Sequence, residues 1–152
     1  MVREYDSGVN DRVLRVGTLG AARITPNALL KPARTLDSVE VVAIAARDPQ
    51  RAAQFAAKHG IPTVHDSYEA LLADAEIDAI YNPLPNSLHA EWSIRALQEG
   101  KHVLCEKPFA SNAAEAREMK QVADAHGLVL VEAFHNLYHP CLLYTSDAAD
   151  EL

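Results

Sequence analysis

The stretch Val13-Leu14-Arg15-Val16-Gly17-Thr18-Leu19-Gly20-Ala21-Ala22-Arg23-Ile24-Thr25 decides the fold. A short apolar run with the character of a buried parallel strand ends at Gly20 and passes into residues that can open a helix. Strand, tight turn and helix start, in that order, make the first unit of a doubly wound α/β sheet, and such a turn receives a diphosphate. Gly20 frees the backbone to turn, and the small Ala22 lets main-chain amides approach an anion. Read as G-x-G-x-x-G, the match is Gly20-x-Ala22-x-x-Thr25, with one glycine of the three, so the turn alone also fits an ordinary strand-to-helix corner. The candidate contacts to a dinucleotide here are Gly20, Ala22, Arg23 and Ile24.

Beyond this stretch the alternation of strand and helix continues. Ile24 to Arg34 reads as a short helix, with Pro26 tolerated in its first turn and Pro32 disturbing its end. Val39 to Ala45 is β-branched and almost continuously apolar, as a strand covered on both faces requires. Asp48-Pro49 then caps and opens a helix that runs to His59 and is closed by Gly60. Thr63-Val64 is a brief third strand, and Ser67 caps a helix to Leu72. A fourth strand, Ile77 to Tyr81, is stopped by the prolines of Asn82-Pro83-Leu84-Pro85-Asn86. Ser87 to Gln98 forms the next helix, His102 to Cys105 the fifth strand, Asn112 to Ala125 a helix, and Leu128 to Val131 the sixth strand. The expected architecture is a mostly parallel, six-stranded Rossmann sheet with helices on both faces, spanning residues 12–140 behind a loose leader at 1–11.

At 152 residues, 49% hydrophobic and 23% charged, the chain has enough apolar side chains for one core. Its net charge of -7, with no compensating basic block, argues against a nucleic-acid partner. No apolar run approaches membrane-spanning length, and the polar residues 1–11 contain no secretory segment, so a cytoplasmic protein is expected. Cys105 and Cys141 make no disulfide framework and fit a reducing compartment. His135 and His139 have a spacing that could present two ligands, but further ligands are lacking and Pro140 follows directly, so no metal site is expected.

The end of the second strand bears on cofactor choice. A Rossmann unit that takes NAD commonly places an acidic side chain there for the ribose hydroxyls, whereas this chain has Ala45-Ala46-Arg47-Asp48. Arg47 offers a permanently charged planar fork suited to a ribose 2′-phosphate, which favours NADP. The alternative keeps Asp48 as the ribose acid and Arg47 as a solvated side chain, which leaves NAD possible. Because ligands sit at the carboxyl ends of parallel strands, Asn82, Pro83, Leu84 and Asn86 should flank the cofactor beside Gly20. His89, one turn into the following helix, is a candidate contact at the same edge, or else a packed histidine. Trp92 and Cys105 read as core.

Ala-Arg-Asp after the second strand, Asn82-Pro-Leu-Pro-Asn-x-x-His89, Gly100-Lys-His-Val-Leu-Cys-Glu-Lys-Pro108 and Glu132-Ala-Phe together resemble the Gfo/Idh/MocA oxidoreductases. Within that family the similarity leans toward the trans-1,2-dihydrodiol and xylose dehydrogenase branch. The resemblance implies an NAD(P)-dependent dehydrogenase acting on a sugar, polyol or dihydrodiol. It places Glu106 and Lys107 beside the nicotinamide, makes Lys107 the catalytic residue, and suggests a cis Lys107-Pro108 bond. When hydride leaves a carbinol carbon, negative charge builds on its oxygen, and a nearby ammonium stabilises that charge and assists proton transfer. Leu137 stands where the family often has Arg.

Intact members continue into a second domain that supplies the substrate pocket, the main proton-transfer residue and the interface of a homo-oligomer. Here residues 141–152 follow instead, and they resemble the in-frame translation of a transposase adapter used in preparing sequencing libraries. The chain therefore reads as the cofactor-binding part of such an enzyme, expected to lack turnover as it stands. A non-catalytic dinucleotide-binding or redox-sensing module is the alternative.

Overall fold

The computed structural model describes residues 12–135. The expected leader, Leu137, His139, Cys141 and the adapter-like tail lie outside the described residues. Six strands form one sheet in the order β3-β2-β1-β4-β5-β6, and every neighbouring pair is parallel. They are β1 (Leu14–Leu19), β2 (Val39–Ala45), β3 (Thr63–His65), β4 (Ala79–Asn82), β5 (His102–Glu106) and β6 (Leu130–Ala133). The order reverses between β1 and β4, which is the switch point where a doubly wound sheet opens a crevice.

Helices cover both faces. On one, Ala21, Leu30, Ile44, Ala56 and Ile61 pack together beneath α1 (Lys31–Ala33) and α2 (Pro49–His59). On the other, α3 (Tyr68–Leu72), α4 (His89–Gln98) and α5 (Ala113–His126) bury Leu71, Leu97, Met119 and Ala123 against Ala43, Ile80 and Val103. Ile44 and its neighbours Ala43 and Ala45 point to opposite faces, and all three are almost fully buried, which is why the end of β2 reads as an unbroken apolar run. Gly17 sits where a Cβ would come within 3.0 Å of Leu71 and 3.1 Å of Ile77, so its missing side chain lets the second core close on β1.

Several element bounds differ from the sequence expectation: the fourth strand begins at Ala79 rather than Ile77, and the helix expected from Ser87 opens as a 3-10 turn at Asn86–Leu88 before α4. The segment expected as a helix from Ile24 to Arg34 is a π-helical turn at Pro26–Leu30 running into the short α1. Pro32 has no N–H to continue an α ladder, and the Lys31 amide reaches back to the Pro26 carbonyl, widening the turn. The sixth strand begins at Leu130, two residues later than expected. The left-handed Gly127 ends α5, and the Leu128 amide turns back to the Ala123 carbonyl at 3.0 Å, so Leu128 belongs to the cap. No described helix is long and apolar enough to cross a membrane.

Candidate functional site

The carboxyl ends of β1, β4 and β5 are neighbours, with Thr18 opposite Tyr81 and Tyr81 opposite Leu104. Adjacent strands lie about 5 Å apart, so the Gly20 turn and the Lys107 loop share one rim roughly 10 Å apart. A cleft of about 400 Å³ opens at that rim, lined by Gly20, Ala22, Arg47, Pro83 and Leu84 of the expected residues, and also by Asp48, Arg51, Tyr68 and Leu88.

Gly20 adopts φ +78°, a left-handed conformation that a side chain would strain, and a Cβ there would meet Leu84 Cδ2 at 3.1 Å. Its own amide is tied to the Ala45 carbonyl at 2.6 Å, which joins the turn to the end of β2. The amides of Ala21, Ala22, Arg23 and Ile24 donate to no protein group among the described residues. These donors lie before the π turn rather than inside a helix, and of the four residues Ala21 and Ala22 line the cleft.

At the end of β2, Asp48 turns one carboxylate oxygen to the amides of Gln50 (3.0 Å) and Arg51 (3.2 Å), capping α2. Arg47 is exposed, and its guanidinium has no hydrogen-bond partner among the described residues. Arg51, which sequence reasoning missed, donates to the Ala21 carbonyl at 3.0 Å and so fixes a second guanidinium against the turn. The available signal was its place on the first turn of α2, one turn beyond Arg47. Arg23 lies in an adjoining groove of about 600 Å³ that shares Ala22 and Arg51 with the cleft and is also lined by Lys31 and Lys58. Ile24 is exposed on the turn and does not line the cleft.

Across the rim, several residues expected to contact a ligand are turned inward. Asn82 is fully buried; its amide donates to Ser93 Oγ at 3.0 Å and to the His89 carbonyl at 3.2 Å, while its Oδ1 accepts the Leu84 amide at 3.3 Å. His89 is 2% exposed, and both ring nitrogens meet backbone carbonyls, so none is left for a ligand. Glu106 is buried, with one oxygen accepting from the Tyr81 hydroxyl at 2.7 Å and the other from the Lys107 amide at 3.2 Å. Burial, followed by the hydrogen bond to Glu106, holds the Tyr81 phenol above its ordinary range, so it stays a donor. Asn86, half-buried, has an Oδ1 that finds no partner among the described residues.

Lys107 is exposed, joined to Pro108 by a cis peptide bond, and its ammonium makes no ion pair or hydrogen bond among the described residues. Cys105 is fully buried, and burial pushes its thiol up to about 12, which leaves it an inert core residue. Trp92 packs in the core edge-on to Tyr68, their rings 4.8 Å apart, with Arg95 over its face. Among the described residues no three His, Cys, Asp or Glu stand together as metal ligands.

Sheet order and rim together define a Rossmann dinucleotide-binding fold. The family model of the Gfo/Idh/MocA proteins, an oxidoreductase family with an NAD-binding Rossmann fold, matches residues 14–134, and the chain belongs to that family. It is 46% identical over 124 residues to D-xylose 1-dehydrogenase (NADP(+)) 2 of Haloferax volcanii, covering 82% of this chain and 38% of that protein. To the trans-1,2-dihydrobenzene-1,2-diol dehydrogenase of Xenopus tropicalis it is 40% identical, with the same coverage of 82% and 38%. Among solved structures, a 3-ketoreductase from Actinomadura kijaniata in complex with NADP and TDP-benzene superposes with a TM-score of 0.85 at 41% identity, covering 92% of this chain and 43% of that one. The chain thus spans less than half the length of these relatives.

Proposed function

We propose that this chain is the NADP(H)-binding part of an oxidoreductase that transfers hydride between nicotinamide and a sugar, polyol or trans-dihydrodiol. The observation that carries the reading is the common rim, with the unpaired amides of residues 21–24 at one end and the unpaired ammonium of Lys107 at the other. The cleft fits a dinucleotide, because a turn without a side chain at Gly20 lines it and the guanidiniums of Arg47 and Arg51 stand beside it. Residues 21–24 would hold the diphosphate. Arg47 and Arg51 would hold a ribose 2′-phosphate, while Asp48 spends an oxygen on its helix cap. Bound there, the nicotinamide would supply a two-electron hydride carrier. Lys107 would stabilise charge on the substrate oxygen and pass a proton to or from it.

Similarity to an NADP(+)-dependent D-xylose 1-dehydrogenase supports NADP and a sugar substrate, and similarity to a trans-1,2-dihydrobenzene-1,2-diol dehydrogenase supports a diol. Substrate pocket and subunit interface are assigned to chain beyond the described residues, and the compartment to a reducing cytoplasm. Titration with NADPH and NADH, followed by nicotinamide fluorescence, tests cofactor choice. Arg47→Ala with Arg51→Ala should weaken NADPH about 10- to 100-fold, the worth of one or two charge-assisted hydrogen bonds, and leave NADH nearly unchanged. An unaltered ratio of the two affinities would remove the 2′-phosphate assignment.

A further inference from the structure

His89 lies at the start of α4, and among the described residues it is the one side chain that bonds the backbone of both rim loops. Its Nε2 is 2.7 Å from the Leu84 carbonyl, in the loop after β4, and its Nδ1 is 2.8 Å from the Pro108 carbonyl, in the loop after β5. We infer that His89 is a positioning residue: its ring straps the Pro83–Pro85 loop to the Lys107-Pro108 loop and so sets the distance between the diphosphate turn and the Lys107 ammonium.

Three further contacts make the strap rigid at both ends. Leu84 is held through each of its backbone groups, its amide by Asn82 Oδ1 and its carbonyl by His89. Its side chain rests over Gly20, where a Cβ would come within 3.1 Å. At the other end Lys107 is fixed through its amide by buried Glu106, and the Phe109 amide donates to Glu132 at 2.8 Å. A physical path therefore runs from the Gly20 turn through Leu84 and the imidazole to the peptide next to Lys107. Carbonyl oxygens only accept, so a protonated ring nitrogen is the donor in any contact that it makes here. The spacing Asn82-x-Leu84-x-x-x-x-His89 puts one side chain before the loop and one after it on the two peptide units that flank Leu84.

The inference rests on the proposed cofactor cleft only for its functional meaning, and the strap can be tested without ligand. Amide exchange in His89→Gln should quicken about tenfold, the effect of one ordinary hydrogen bond, at Leu84, Leu88, Lys107 and Phe109, while β1 and β4 keep their protection. Uniform loss across the sheet, or no change in either loop, would contradict it. NADPH should shift the Leu84 and Phe109 amides together in the wild type, and Leu84 alone in His89→Gln; joint shifts in the variant would also contradict it. If NADPH shifts neither in the wild type, the cofactor reading fails, and the exchange result still decides the strap.

Discussion

The two halves of the rim are built differently. On the β1–β2 side the groups that can meet a ligand are free: amides of residues 21–24, and exposed Arg47. On the β4–β5 side nearly every polar side chain is buried and engaged with backbone, as Asn82, His89 and Glu106 show, and one exposed ammonium, Lys107, is left at the end of that frame. On the proposed reading the first half would neutralise the charge of a ligand, while the second fixes the backbone from which the Lys107 side chain extends.

Substitutions should therefore act on stability very unequally across the rim. Gly20→Val should cost most, about 1–3 kcal/mol from the strained left-handed backbone, with a further loss from the clash with Leu84, and it should abolish NADPH binding. Urea denaturation and fluorescence titration read the two effects. Glu106→Ala should come next, at about 1–3 kcal/mol, because it leaves the buried Tyr81 hydroxyl and the Lys107 amide without their acceptor. Glu106→Gln, which keeps one acceptor oxygen, should cost less; equal losses would mean that the carboxylate serves something other than these two donors. Lys107→Ala should alter stability by no more than about 0.5 kcal/mol, since the side chain is exposed and unpaired. A larger loss would erase the contrast between frame and ammonium.

Much of this was legible in the chain because its punctuation is strong. The strand Val39–Ala45 and the helix Pro49–His59 are read to the residue, since Asp48-Pro49 and Gly60 mark the helix at both ends. Pro32 signalled a disturbance but not its form, because a widened turn depends on which carbonyl the Lys31 amide reaches. In the site, the placing of the Gly20, Asn82 and Lys107 loops at one rim was legible, and Arg47 and Lys107 are exposed. The burial of the Asn82, His89 and Glu106 side chains was not: sequence pattern locates a polar residue near a strand end without saying whether it turns toward solvent or toward an unpaired backbone group. Arg51 was missed because it lies within a helix, where an arginine ordinarily reads as solvated.

A crystal structure of the chain with NADPH tests the shared rim most directly. The diphosphate should lie on the amides of residues 21–24 and the 2′-phosphate between Arg47 and Arg51, with the nicotinamide beside Lys107. A dinucleotide bound instead in the groove between Arg34 and Ile61, or lying across the Gly20 turn with its nicotinamide directed away from Lys107, would contradict it.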